Sequence, residues 1–449
     1  PPQVEDSALS IRRPEIYYGE KTTDHVYVRT EEQEFDYPSG DENVYATYQG
    51  EGGVPLENLF KRFAYAWKFD EVQLLFSTYF TAESRVMFRR GIIPRLKELA
   101  PFLVYDRDPY PVLTPDGRIK YIVDTYTVSD RYPYSETYQG SLGTFRGVNY
   151  MRNAVKAVVD AYDGTVSFYV FDEEDVILQT YAEVFPGLFR PRSEMPAFLE
   201  QHVRYPDDYL TVQAEMYATY HMEDVGVFYQ REDVWQFATE RYRENFQAVQ
   251  PYYVMVQLPE RDELEFVLMI PFTPKNKNVI NAWMAGRCDP PHYGKLLVFT
   301  FPKGVEVLGP RQIEARIDQD TEMSQRLSLW GQRGSEVVRG NLLAIPLFSG
   351  KTLYMLFAEP IFLQAENAQL PEIKRIALAD QTGVVWADTF EASLRRLIGD
   401  EGIVESAEEA LPAEGGAPGR DVIGQAVDLF QAYKDSLMSG DFAAAGERL

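Results

Sequence analysis

Carboxylates are the side chains in this sequence whose type and spacing come nearest to chemistry. Asp318 and Asp320, two residues apart and beside Arg316, form a pair that could divide acid and base work. The same stretch, Asp318-Gln319-Asp320-Thr321-Glu322, also reads as a helix entry, with Asp320 as N-cap and acids near the positive helix end. Asp124 and Asp130 fall on or just after an expected strand, followed by Arg131, Tyr132, Tyr134 and Ser135. Polar residues and tyrosines at a strand end can line a cleft, and glycosidases place paired carboxylates on such rims. The plainer reading is an Asp130–Arg131 turn with tyrosines packed on the sheet.

The loop Asp36-Tyr37-Pro38-Ser39-Gly40-Asp41-Glu42-Asn43 gathers Asp36, Asp41, Glu42 and Asn43 on a Gly/Pro-turned segment. Ca²⁺ takes six to eight oxygen ligands from such loops, although this spacing is not an EF-hand; a turn with solvated carboxylates accounts for it without metal. No cofactor is expected, with Ca²⁺ at this loop as the alternative. Cys288, the single cysteine, lies four residues before His292 and could form a nucleophile pair, or be an incidental thiol at a helix end. His221 follows Tyr217 and Tyr220 and reads as a packed or capping histidine; with His292 it joins Arg131, Tyr132 and Tyr134 as a candidate ligand contact. No H-E-x-x-H, G-x-S-x-G, P-loop or dinucleotide-binding glycine pattern occurs, and Gly50, Gly52 and Gly53 read as a loop.

The elements that must position these residues change period along the chain. Leu56, Leu59, Phe60 and Phe63 recur at helical spacing and predict one apolar helix face; Leu74, Leu75 and Tyr79 predict a second helix. Thr81 and Ser84 predict the N-cap of a third, with Leu96 and Leu99 at its far end. The period then becomes two over residues 118–128, entered through the turn Thr114-Pro115-Asp116-Gly117. Asp163-Gly164, between two strand-like runs, predicts a hairpin with a type I′ turn. Residues 193–246 return to helical spacing, with Ser193 as a cap and a new element from Pro206. From 252 to 387 strands dominate, interrupted by short helices expected near 279–285 and 322–329.

The expected class is α+β: a helical segment, then mainly antiparallel β-sheet domains with interspersed helices. The expected divisions are 1–110, 111–250, 251–400, an acidic Gly/Pro-containing linker at 401–420, and an amphipathic helical tail at 421–449. The chain has 449 residues and a net charge of −25, from 69 acidic against 44 basic residues. That surface repels phosphate backbones, so nucleic acid is not an expected partner. No apolar run reaches the ~18 residues of a membrane helix. The Pro1-Pro2-Gln3 start has no initiator Met and no signal-peptide pattern, so the chain is expected to begin inside something longer.

Several stretches resemble one family in register. They include Arg13-Pro14-Glu15-Ile16-Tyr17-Tyr18-Gly19-Glu20, the Glu34–Tyr45 loop, Ser129–Ser135, Val158-Val159-Asp160-Ala161-Tyr162-Asp163-Gly164-Thr165-Val166, Tyr217–Met222, His292–Leu296 and Ala315–Asp320. Together they are similar to uncharacterised protein family 0182, large bacterial membrane proteins. The resemblance implies several membrane helices followed by a large extracytoplasmic portion, of which this chain would be the later part. It implies no catalytic residues. The function expected is a binding or assembly module at the cell envelope, extracytoplasmic and tethered through a part outside this chain. Its expected partners are that membrane-embedded part, an envelope protein or glycan, and further copies of itself. An envelope hydrolase using Asp124, Asp130, Asp318 and Asp320, and a calcium-stiffened surface component, are the alternatives.

Overall fold

The computed structural model describes residues 11–399, apart from 40–41, 243–244, 260–262, 303, 332–334, 350–351 and 366–369. The expected linker and tail, 401–449, lie outside the described residues. The class is α+β, with 25% helix and 36% strand. The chain forms two compact units that divide between Asp208 and Tyr209. The expected divisions lie elsewhere. Residues on both sides of 110/111 share one sheet, because Val104–Tyr105 and Tyr110–Leu113 both pair with Ile119–Ser129.

In the first unit a six-stranded sheet runs in the order Phe189–Pro191, Val166–Val170, Tyr150–Asp160, Ile119–Ser129, Val104–Tyr105, with Tyr110–Leu113 also on Ile119–Ser129. Its two central strands are eleven residues each and nearly all buried over their middles, so they read as continuous rather than alternating apolar runs. Ile92 and Leu96 from the helix Ile92–Leu99 pack with Val123, Ala157, Val159 and Phe168 of the sheet. Gly117 closes the entering turn, with φ +78° and its N–H donating to Thr114 O at 2.8 Å.

Three local expectations need correction. The helix α1, Leu59–Phe69, begins after Asn58, whose side chain accepts from the Lys61 N–H. Leu56 therefore sits outside the helix and is buried, while Leu59, Phe60 and Phe63 point to solvent; Ala66 is the buried residue of the core-facing side. Thr81 and Ser84 cap nothing: the Ser84 hydroxyl donates to Arg29 O, the strand Arg85–Met87 follows, and the third helix starts after Gly91. The hairpin at Asp163-Gly164 forms, with Val166 opposite Val159, but only Gly164 has positive φ. A type I′ turn needs positive φ at both central residues. The loop is instead 161–165, closed by Asp160 N–H to Thr165 O at 3.0 Å.

In the second unit the strands Trp235–Phe237, Tyr252–Gln257, Leu264–Pro274, Ala282–Arg287 and Leu296–Thr300 make one antiparallel sheet. Ser335–Arg339, Leu343–Ser349, Thr352–Ala365, Glu372–Ala379 and Val384–Ala387 make another. The helical reading of 193–246 thus fails from Trp235 onward, where Thr239–Tyr242 and Asn245–Ala248 also pair. The short helix expected near 279–285 is strand: every residue of Ala282–Arg287 is buried, and a run with no polar side fits the middle of a sheet. The helix expected at 322–329 is present as Thr321–Gly331.

Candidate functional site

Four loops of the first unit meet around a polar recess of about 290 Å³. Arg12, Arg13 and Arg118 line it with Gln49, Asp116, Tyr162 and Asp163. The loop 160–164 sets the floor. Asp160 Oδ1 accepts from the N–H groups of Tyr162 and Asp163, at 3.0 and 2.9 Å, and Gly164 completes the turn at φ +69°. This places the Tyr162 ring on a tyrosine cluster, 4.8 Å from Tyr48 and 5.3 Å from Tyr17, centroid to centroid.

Arg118 follows Gly117 directly, and its Nη2 donates to Asp160 at 3.0 Å and Asp163 at 2.6 Å. Arg12 and Arg13 are aligned by backbone N–H groups that both donate to Gly117 O. Arg13 then donates to the Tyr162 hydroxyl and to Gln49 Oε1, each at 2.9 Å. The loop bearing Gln49 is pinned by Asp163 Oδ1, which accepts from the Tyr48 hydroxyl at 2.6 Å and the Glu51 N–H at 3.1 Å. Gly50 and Gly52 are required here by space: a Cβ on Gly50 would lie 2.0 Å from Asp163 Oδ1, and one on Gly52 2.5 Å from Asp163 O.

Burial works against both charges at the floor, yet both persist. Hydrogen bonds from Tyr48 and Arg118 hold the Asp163 carboxyl below its usual range. Asp163 and Asp160 likewise raise the Arg118 guanidinium above its ordinary value. The Arg118 Nε is buried with no hydrogen-bond partner, and Arg12 is exposed at the rim. A recess lined by guanidinium groups and carboxylates can hold a small anionic, hydroxyl-bearing group by charge-assisted hydrogen bonds.

The residues singled out from sequence lie elsewhere. Asp124 is buried and ion-paired with Lys156, its directly opposed cross-strand neighbour. Asp130 and Arg131 are exposed on a loop, 3.7 Å apart. Tyr132 stacks on Tyr150 at 5.7 Å, and Tyr134 is fully exposed at φ +58°. Asp318 is held by Arg339 at 2.6 Å and Arg241 at 3.0 Å, whereas Asp320 caps the Thr321–Gly331 helix by accepting from the Met323 N–H at 2.9 Å. The four aspartates thus occupy four separate surroundings, two in each unit. His221 stacks on Trp235 at 3.6 Å. His292 sits beside Lys295, 3.3 Å away, and Cys288 is buried just past the end of a strand rather than a helix.

Asp36 and Asn43 lie on the hairpin Glu34–Ser39 and Glu42–Ala46; Asp41 and the Glu42 side chain lie outside the described residues. Among the described residues no group of three or more His, Cys, Asp or Glu side chains converges as metal ligands. Sequence reasoning passed over the arginine recess because its parts come from four distant loops. The available signals were Asp163-Gly164 and the Gly50–Gly53 run, read there as turn and loop.

The fold and recess define an α+β protein with a preformed polar pocket and no recognisable catalytic constellation among its described residues. By sequence the chain belongs to the uncharacterised protein family UPF0182, whose family model matches residues 1–330. It is 44% identical to a UPF0182 protein of Sulfurovum sp. over 98% of this chain and 48% of that protein. It is 44% identical to one of Desulforamulus reducens over 100% of this chain and 48% of that protein. A Trichodesmium erythraeum relative is 46% identical over 89% of this chain and 44% of its own length. The chain spans about half the length of the curated relatives it matches. No solved structure matches.

Proposed function

We propose that this chain is the ligand-binding body of a longer envelope protein, extracytoplasmic and tethered to the membrane by sequence outside it, and that its pocket takes an anionic sugar unit of an envelope glycan. One observation carries the reading. Three arginines surround one small recess in a chain whose net charge is −25. Guanidinium groups match a carboxylate in two-pronged fashion, and Asp116 and Asp163 accept from sugar hydroxyls. The location and tether are supported by the family resemblance and by relatives about twice as long.

The test is calorimetric titration of the chain with a glucuronate-containing oligosaccharide and with a neutral glucose oligosaccharide of equal length. Binding is expected for the charged sugar alone. Arg12→Ala, at the exposed rim, should weaken it at least ~10-fold, about 1.4 kcal/mol, near the lower end for a hydrogen bond to a charged group. Equal binding of both sugars, or an Arg12→Ala variant as tight as the parent, sinks the proposal.

A further inference from the structure

The six-stranded sheet of the first unit buries a lysine against a carboxyl, with a second carboxyl in line. Asp124 is paired directly opposite Lys156 on the two central strands. On its other side Tyr105 is paired opposite Thr125, and the Asp106 N–H donates to Asp124 O at 2.9 Å, so Asp106 continues that register and stands opposite Asp124. Directly opposed residues share one sheet face, with Cβ atoms about 5 Å apart. Asp106, Asp124 and Lys156 therefore form a row, and all three are buried: Lys156 is 0% exposed, the two aspartates 2% each. Lys156 Nζ donates to Asp124 Oδ1, and to Asn153 Oδ1 at 2.6 Å.

A lysine in this position has a reaction open to it that an arginine lacks. The buried pairs Arg287–Glu265 and Arg339–Glu359 use guanidinium groups, which keep their protons in proteins and are not nucleophiles. An ammonium gives up a proton readily once out of water. Passing that proton to the facing carboxylate leaves an amine beside a carboxylic acid and removes two charges from the core. Groups held in contact in this way react as if at ~10⁵–10⁸ M. Condensation also needs a group that can give and take protons. The Asp106 carboxyl is pushed up to about 7, first by burial and then by the charges of Asp124 and Asp208, so near neutral pH it can do both. It is held in place by the Tyr126 hydroxyl and by the N–H groups of Asp108 and Asp208, the last two at 2.9 and 3.2 Å.

We propose that Lys156 and Asp124 close an isopeptide bond between the two central strands, with Asp106 as the proton shuttle. Asp124 takes a proton from the Lys156 ammonium, and the freed Nζ lone pair attacks Asp124 Cγ. Asp106 gives a proton to the departing oxygen and takes one from Nζ. The Cγ–O bond breaks, one water leaves and an amide remains. Nothing is oxidised or reduced, and no co-reactant is consumed. Freshly folded chain carries the ion pair, and the bond accumulates with time. It supplies a covalent strand-to-strand link in a chain whose single cysteine cannot form an internal disulfide. The inference is independent of the arginine recess, which uses none of these residues.

Intact-mass spectrometry of the whole chain, denatured after graded incubation, tests it. A species lighter by one water should grow with time, and trypsin should release residues 121–131 joined to the peptide that begins at Asn153. Lys156→Arg keeps a cation at the site and should show neither. Asp106→Asn keeps the side-chain shape and should slow the bond about 100-fold, the lower end for general acid–base catalysis. Circular dichroism checks that both variants are folded; where one is not, the parent's mass and joined peptide decide alone. No water loss in the parent, or water loss that persists in Lys156→Arg, overturns the inference. So does a join at Asn153 with loss of ammonia, since that makes the neighbouring amide the target. An Asp106→Asn variant that cross-links at the parent's rate overturns the role given to Asp106.

Discussion

Removing the ammonium group of Lys156 should be among the most damaging single changes in the first unit, and removing both partners of its ion pair should be nearly harmless. Lys156 is 0% exposed and Asp124 2%, on directly opposed residues of the two central strands. Asn153 adds a side-chain bond to each, accepting from Lys156 at 2.6 Å and donating to Asp124 at 3.2 Å. Lys156→Met leaves the aspartate buried with the Asn153 amide as its one side-chain donor among the described contacts. Breaking a buried pair in this way costs about 3–5 kcal/mol. For a unit of this size that is roughly 6–20 °C in Tm. Asp124→Leu with Lys156→Met removes both charges and fills the space with carbon, so it should return to within about 2 kcal/mol of the parent. Urea denaturation of parent, both singles and the double closes the cycle. A Lys156→Met cost below about 1 kcal/mol, or a double variant whose cost equals the sum of the singles, refutes the reasoning.

Two other perturbations follow from the same geometry. Gly50→Ala would place a methyl group 2.0 Å from Asp163 Oδ1 and 2.4 Å from the Tyr48 hydroxyl. It should push Asp163 off Tyr48 and Arg118, lower stability by about 1–3 kcal/mol and weaken glycan binding; an unchanged melting curve with unchanged binding contradicts the described packing of that loop. Glu314, on the helix Pro310–Gln319, is raised to about 7, chiefly by burial, with the Glu359 charge adding to it. The folded state then keeps a proton that the unfolded chain releases near 4.5, so this group makes stability fall as pH rises from 4.5 to about 7 and adds no slope above that. At ~1.4 kcal/mol per pH unit the effect is capped at about 3 kcal/mol. Glu314→Gln should gain on the parent across that window, and parallel stability–pH curves for the two proteins would rule it out.

The strand-rich half was legible where the sequence states one face or one run plainly. Thr352–Ala365 and Glu372–Ala379 fall within the stretch 252–387 where strands were expected, and Thr352–Ala365 carries the Thr, Tyr, Phe and Ile residues that favour an extended run. Asp320 as a cap was legible because the N-cap needs only its own side chain and the next turn. The direction of the α1 face was not legible, for an instructive reason. Periodicity says which residues share a face, not which way that face points, and the direction was set by Arg62, Tyr65 and Phe69 reaching strand and loop atoms distant in sequence. The arginine pocket was illegible on the same ground: Arg12, Gln49, Arg118 and Asp163 become neighbours only after four loops meet. Asp124 looked like a cleft residue because its partner, thirty-two positions away, is visible only once strand register is known.

Register also explains why charges lie inside this fold at all. Arg287 forks onto Glu265, and Arg339 onto Glu359 at 2.6 Å, in each case across adjacent strands of the second unit. With Asp124–Lys156 this makes three buried pairs, each spanning two neighbouring strands. In sheets whose central strands are apolar on both faces, hydrophobic alternation cannot forbid a slip of one residue, because the slipped strand is still greasy on either side. A buried charge whose counter-ion sits on the neighbouring strand can, since a slip strands two ions in the core at several kcal/mol each. On this view Asp124, Glu265 and Glu359 hold strands in register and are unavailable for proton transfer to a ligand. The arginines at the 290 Å³ recess differ in kind: they sit in loops, where register needs no defence, and their charge faces a space open to a ligand.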